Sequence, residues 1–263
     1  MKELPRVDPR LLPCSAQRKL RSARKIRLLD SSSPDALRRL VGMIRSPRAT
    51  LTSAVANPRT LDLAILIVVI STICSVGFLM TRVGQLAALD QQVRQLESFG
   101  IPVSDSRYEQ LREAVVYRPL ASAVVILLGW PVLWVLGARG VHWLGRRSGR
   151  RDVTSAQVLT VFVHASAIFA LQAVVAAPVN YMRESLGGAT SLRNVMPAFG
   201  ESTFPGRLLG AVDIFMVWWV LLVALGLSIV YRTRTLPIAR WLFGAYAGGA
   251  AALALTQAFR GGI

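Results

Sequence analysis

The chain has 263 residues, of which 53% are hydrophobic, and its formal net charge is +17. A basic excess of this size suits an anionic partner such as nucleic acid or a membrane surface. The mean hydropathy of +0.46 is high for a water-soluble globular protein, and the apolar residues occur in blocks separated by charged gaps. This arrangement favours the membrane and argues against a soluble fold.

The first 35 residues form a basic, proline-containing segment that we expect to be a flexible cytoplasmic tail. Such a composition buries too little apolar surface to fold, but its basic run can lie on anionic lipid headgroups. It lacks the interleaved aromatic residues and the reader fold of a nucleic-acid-binding protein, so we expect no nucleic acid partner. The candidate lipid-contacting residues are Arg18, Lys19, Arg21, Arg24, Lys25 and Arg27.

Residues 36–60 are expected to form two short amphipathic helices at the cytoplasmic membrane interface. Ser33 is a candidate N-cap, and Pro34 suits the first helical position. Pro47 then predicts a turn, because the residue before a proline avoids the helical region. An apolar stripe at helical spacing is typical of a helix that lies in the interface. The stripe consists of Leu37, Leu40, Val41 and Ile44.

Five apolar blocks of about twenty residues predict transmembrane helices. About 18 or more apolar residues are needed to cross a hydrocarbon core of about 30 Å as a helix. One such block could be a buried helix of a soluble core, but five blocks with the charges in the gaps indicate an all-α integral membrane bundle. The predicted spans of this 61–258 membrane domain are residues 61–80, 120–138, 158–178, 208–231 and 237–258.

The charged gaps alternate between basic excess and charge balance. Residues 1–60 hold 14 basic and 4 acidic residues, whereas residues 81–118 hold 5 of each. Residues 146–157 again hold 4 Arg against one Asp, and residues 232–240 hold 3 Arg and no acid. The positive-inside rule therefore predicts a cytoplasmic N-terminus, and five spans then place the C-terminus outside.

The long external gap, residues 81–118, is expected to form a helical hairpin. Apolar residues recur every three or four positions from Val83 to Phe99, so one helix face should be buried. We expect the first span to continue outward as one helix to about Phe99. A Gly-Ile-Pro break follows, and Ser106 and Glu109 match a capping box for the second arm. A cytoplasmic coiled coil is the competing interpretation, but it needs the opposite orientation.

Asp213 lies in the fourth predicted span, where a carboxylate needs an explanation. An aspartate at mid-membrane costs about 2.5–3.5 kcal/mol, less near the ends, and such residues face the bundle interior. Gln172 of the third span has a similar predicted depth and Asn180 lies just above it, so the three form a candidate polar cluster. Three interpretations stay open: a structural polar lock, a proton or ion site of a transporter, or an interfacial position.

Catalytic and metal-binding motifs are missing from the sequence. It contains no nucleophile arrangement, phosphate-binding loop or His-Glu-x-x-His motif. Its two cysteines, Cys14 and Cys74, and its two histidines lie far apart and lack metal-ligand spacing. We therefore expect no enzyme, no cofactor, no metal and no disulfide. A single intramembrane acid and the lack of an internal repeat also disfavour a transporter.

Three short motifs carry a family resemblance. Segments 44–51 (IRSPRATL) and 190–199 (TSLRNVMPAF) are similar to the stretches that precede the first and fourth spans in one membrane family. That family also shows an Asp-x-Phe-x-x-Trp pattern followed by apolar residues and a glycine. In this chain the pattern is Asp213, Phe215, Trp218 and Gly226. Residues 38–258 thus resemble the Yip (Ypt/Rab-interacting protein) membrane domain family, in its bacterial form.

The resemblance implies an all-α domain of five spans with a cytoplasmic N-terminus, as the charges also predict. Eukaryotic relatives bind Rab-class GTPases in vesicle traffic, a partner that a bacterial chain need not meet. Arginine provides 28 of the 31 basic residues, which is typical of a GC-rich bacterial genome. We therefore predict a multi-pass protein of the bacterial cytoplasmic (inner) membrane that acts as a scaffold, adaptor or membrane-organising component. Its partners would be the lipid bilayer and an unidentified protein; the sequence gives no oligomeric state. The alternative is a small permease or ion-coupled transporter that uses Asp213.

Overall fold

The structure is a computed structural model that describes residues 32–150, 152–186, 188–192, 210 and 212–260. The predicted basic residues between Arg18 and Arg27 lie outside this part of the chain. Within it the secondary structure is helical, apart from an isolated β-bridge between Ser191 and Asp213. The helices are α1 (Ser32–Arg45), α2 (Pro47–Ala56), α3 (Leu61–Leu79), α4 (Arg82–Ser98), α5 (Asp105–Ala114), a 3-10 turn (Val115–Tyr117), α6 (Arg118–Arg147), α7 (Ser155–Ala165), α8 (Ala167–Met182), α9 (Ile214–Val230) and α10 (Thr235–Arg260).

Three helical segments in the described part of the chain are long and apolar enough to cross a membrane. They are Leu61–Leu79, Asp105–Arg147 and Ser155–Met182. Ile214–Val230 is a shorter apolar helix of 17 residues. At a rise of about 1.5 Å per residue, a 19-residue helix such as α3 is about 28 Å long, close to the hydrocarbon thickness. The chain is therefore an all-helical protein of the membrane-spanning type.

The core of the bundle lies where α7 packs between α6 and α9. Glycines allow this close contact, because a Cβ atom at Gly226 of α9 would lie 2.4 Å from Cγ1 of Val161. A Cβ atom at Gly137 of α6 would likewise lie 2.6 Å from Cε1 of Phe162. Such distances are too short for any real side chain. The backbones of α6 and α9 therefore approach α7 as closely as glycine permits.

Helices α1 and α2 pack against one end of this bundle. Met43 and Leu51 are fully buried in its core. Arg39 of α1 forms an ion pair with Asp62 at the start of α3, and it donates a second hydrogen bond to the carbonyl oxygen of Arg59 at 2.7 Å. The opposite face of α1 leaves Leu37 exposed. Contact of that outer face with lipid stays a prediction.

The first span does not continue to Phe99, and that prediction was wrong. Helix α3 ends at Leu79, and α4 starts anew at Arg82 with Thr81 as its N-cap. The Thr81 hydroxyl accepts the backbone N–H of Gly84 at 3.0 Å and donates to the carbonyl oxygen of Phe78 at 2.7 Å. This local bonding competes with a continuous helix, as threonine side chains commonly do.

The second arm of the hairpin begins two residues earlier than its capping motif suggested. Ser104, and not Ser106, is the N-cap of α5, and its Oγ accepts the backbone N–H of Arg107. The arms pack through buried side chains that include Leu89 and Leu111. Val103 packs against the same cluster, and this contact fixes the chain just before the helix starts.

Candidate functional site

Asp213 caps the N-terminus of α9 and does not lie within a helix that starts at residue 208. Helix α9 begins at Ile214. Oδ1 of Asp213 accepts the backbone N–H groups of Phe215 at 2.8 Å and Met216 at 3.1 Å. A carboxylate in this position satisfies N–H groups that would otherwise lack partners, and its negative charge complements the helix dipole. Helix α9 therefore begins directly after a residue type that is favoured as an N-cap.

The second oxygen of the same carboxylate binds two side chains from other segments. Oδ2 of Asp213 accepts Nε2–H of Gln172 in α8 at 2.9 Å and the hydroxyl of Thr190. Nε2 of Gln172 also lies 2.8 Å from Oγ1 of Thr190. The structure thus brings Asp213 and Gln172 together, and it adds Thr190, which the sequence analysis did not consider.

Backbone contacts extend this junction to a fourth segment. Ile214 donates its N–H to the carbonyl oxygen of Thr190 at 3.1 Å, and Leu192 donates to that of Val212 at 2.7 Å. The backbone N–H of Asp213 donates to the hydroxyl of Tyr246 in α10 at 3.2 Å. We call this set of contacts among α8, residues 188–192, α9 and α10 the Asp213 junction.

Asn180 lines a cavity beside the Asp213 junction, but its Oδ1 is buried without a hydrogen-bond partner in the described residues. The cavity has a volume of about 380 Å³, and Asp213 and Gln172 also line it. Ser71 of α3 contributes a second buried oxygen without a partner among the described residues. A polar cavity of this size can hold water molecules or a small polar solute.

A serine with two tryptophan partners forms a second polar centre, which the sequence analysis missed. The indole N–H groups of Trp134 in α6 and Trp219 in α9 lie 2.9 Å and 3.2 Å from Oγ of Ser166. Ser166 in turn donates to the carbonyl oxygen of Phe162 at 2.8 Å, and it separates α7 from α8. The predicted third span is therefore interrupted at this serine. The sequence signal for this centre was a serine within an apolar run, together with a tryptophan in each of two other apolar segments.

His164 is fully buried beside this centre. Its Nδ1 lies 2.9 Å from the carbonyl oxygen of Thr160, and its Nε2 has no partner among the described residues. In the part of the chain that the structure describes, no group of three or more His, Cys, Asp or Glu side chains is placed to hold a metal ion. The arrangement can therefore join helices through hydrogen bonds and line an open cavity with polar groups.

Comparison with known proteins identifies the family. The model of the Yip1 domain matches residues 41–257, which cover the end of α1, the whole of α2 to α9 and most of α10. Neither curated proteins nor solved structures gave a match. The matched region contains the Asp213 junction, the Ser166 centre and the glycine contacts of α7. The chain belongs to the Yip1 domain family, a family of membrane proteins.

Proposed function

We propose that this Yip-type membrane protein has five spans, a cytoplasmic N-terminus and an external C-terminus. Helix α9 and the 26-residue α10 would supply the fourth and fifth spans. The alternation of basic and balanced gaps supports this orientation. On this topology residues 1–60 face the cytoplasm, and the 81–118 hairpin extends from the other side of what we take to be a bacterial inner membrane.

We further propose that the protein is a scaffold or adaptor without catalytic activity. The observation that carries this proposal is the hydrogen bonding of Asp213, because both carboxylate oxygens are engaged by four donors. A carboxylate that binds transported protons or ions must exchange its partners during each cycle. A carboxylate held by two backbone N–H groups and two side chains is better suited to fixing helix positions.

The cytoplasmic segments would provide the contact surface of the scaffold. Residues 1–35 carry the basic run, and the exposed face of α1 presents Leu37 and Val41 beside Arg38. Basic and apolar groups on one surface suit anionic lipid or an acidic protein partner. Removal of residues 1–31 should weaken binding to anionic liposomes and leave the bundle folded. Unchanged liposome association would contradict this role of the tail.

Co-purification tests the adaptor role. The full chain, tagged at its C-terminus, would be extracted from native membranes into nanodiscs, and bound proteins would be quantified by mass spectrometry. We expect a stoichiometric protein partner that no longer co-purifies when residues 1–31 are removed. A multi-pass protein of similar size, expressed at the same level, is the matched control. A preparation with the same background proteins as the control would contradict the adaptor proposal.

A further inference from the structure

A groove of about 1180 Å³ lies between the end of α6 and the turn that joins α9 to α10. Its walls are largely apolar. Leu144 of α6 lines one side, and Pro237 and Trp241 of α10 line the other. The Trp241 side chain is 82% exposed, although it lies next to this apolar surface. We call this feature the α6–α10 groove.

The mouth of the α6–α10 groove is basic. Arg150, Arg232 and Arg234 line it, and none of the described residues that line the groove is acidic. Arg150 donates to the carbonyl oxygen of Tyr231 and lies 6.0 Å from the centre of its ring. Arg232 and Arg234 form no ion pair within the described part of the chain. Their charges are therefore available to an anion.

The turn itself holds these arginines in place. Arg232 adopts a left-handed backbone conformation with a φ of 50°, which is uncommon for a residue other than glycine. The N–H of Thr233 donates to the carbonyl oxygen of Ser228 at 3.0 Å and closes the turn. Thr233 also lines the groove, and its hydroxyl oxygen is buried beneath the turn without a hydrogen-bond partner in the described residues.

The depth of the α6–α10 groove matches the headgroup region of a bilayer. It lies where the apolar part of α6 ends in Arg146 and Arg147. Trp143, one turn before Arg147, is exposed and carries that guanidinium 4.3 Å from its ring centre. Tryptophan and arginine at the end of a span are typical of the membrane–water interface. An apolar wall that leads to a basic mouth at this level has the polarity of a phospholipid molecule.

We propose that the α6–α10 groove binds one anionic phospholipid. Its phosphate would lie at Arg232 and Arg234, and an acyl chain would lie along Leu144 and Trp241. Basic pockets between helices at the cytoplasmic side of a membrane bind such headgroups. A free phosphate ion would use only the mouth and leave the apolar walls uncovered. This site is separate from the basic tail and does not depend on the adaptor role.

Native mass spectrometry of the full chain in mild detergent tests the proposal. Phosphatidylglycerol or phosphatidylcholine with identical acyl chains would be added, and the affinity of the protein for each lipid would be measured. We expect tighter binding of phosphatidylglycerol. The double variant R232Q/R234Q should weaken it about 30-fold, because each arginine near a headgroup contributes about fivefold. R107Q/R112Q removes the same charge from α5 of the hairpin and is the matched control, which should bind as the wild type does.

A second variant tests the apolar wall without any change of charge. Ala245 lines the groove and is exposed, so A245F would fill the groove at little cost to folding. We expect A245F to weaken phosphatidylglycerol binding severalfold, whereas A247F, an exposed position of α10 that does not line the groove, should not. Equal binding by R232Q/R234Q and its control would overturn the proposal. Displacement of the lipid by inorganic phosphate alone, or equal binding of both lipids, would also overturn it.

Discussion

The bundle interior and the hairpin of α4 and α5 are both helical, but they are stabilised in different ways. The hairpin is joined by apolar side chains such as Leu89 and Leu111, and its ion pairs, including Asp90–Arg94, are exposed to solvent. The interior combines apolar packing with a buried polar centre at Ser166 and a half-buried one at Asp213. Exposed ion pairs contribute little, whereas hydrogen bonds shielded from water are costly to break. Polar substitutions should therefore matter in the bundle and hardly at all in the hairpin.

The largest expected effect is that of Asp213→Ala. This change removes the N-cap of α9 and leaves Gln172 and Thr190 without their shared acceptor. We expect a loss of about 3 kcal/mol in the free energy of unfolding, as the sum of a lost cap and of half-buried donors left without an acceptor. Denaturant titration of the purified protein in mild detergent measures it. A loss below about 0.5 kcal/mol would show that the junction stabilises nothing.

A smaller effect should follow Gly226→Ala, which tests the close packing of α7 and α9. The added methyl group would overlap Val161, and overpacking of this kind costs about 1–3 kcal/mol. Gly244→Ala in α10 is the matched control, because a Cβ atom there meets nothing within 4 Å. The thermal midpoint should fall for the first variant only. Equal midpoints for the two variants would argue against the packing described for Gly226.

Ser166→Ala should cost less, about 1–2 kcal/mol, because two indole N–H groups lose their acceptor and no large cavity forms. The tryptophan fluorescence spectrum should change as well, since Trp134 and Trp219 both lose a hydrogen bond to the serine. Ser75→Ala is the control, because it removes a hydrogen bond between two serine hydroxyls, those of Ser75 and Ser122, and none to a tryptophan. An unaltered spectrum would contradict the role of Ser166 as a shared acceptor.

The smallest effect is expected for Asp90→Ala in the hairpin. Its ion pair with Arg94 is of the i,i+4 type, and both side chains are more than half exposed. Such pairs contribute about 0.3–0.5 kcal/mol, and salt screens them. The thermal midpoint should therefore stay within error of the wild type at moderate salt. A loss of stability comparable to that of Asp213→Ala would contradict the proposed difference between the hairpin and the bundle interior.

The sequence predicted those elements whose signal is local. Long apolar blocks predicted α3 and α6, and the periodic stripe that starts at Val83 predicted an arm whose buried face includes Leu89. The break at Thr81 was missed because the apolar pattern continues across it. The start of α5 was misplaced because Ser106 and Glu109 match a capping box, whereas packing of Val103 fixes the cap at Ser104.

The polar centres could be predicted only in part, because their partners are distant in sequence. The predicted depth in the membrane was the only basis for pairing Asp213 with Gln172. The two helices run in opposite directions, so the two residues were expected at a similar depth, and the structure has them in contact. Thr190 lies in a loop whose path no periodicity describes. The interruption at Ser166 lacks a local glycine or proline, so it depends on Trp134 and Trp219 from other helices.

The most direct test of the structural role of Asp213 is the thermal unfolding of Asp213→Asn beside Asp90→Asn in the same detergent. Asparagine keeps the shape of the side chain and the oxygen that caps the helix. It removes the negative charge and the second oxygen, which accepts hydrogen bonds from Gln172 and Thr190. We expect the midpoint of Asp213→Asn to fall by about 3–6 °C, as a loss of about 1.5 kcal/mol implies, while that of Asp90→Asn stays unchanged. An unaltered midpoint for Asp213→Asn, together with loss of solute flux in proteoliposomes, would contradict the structural account and support a transporter.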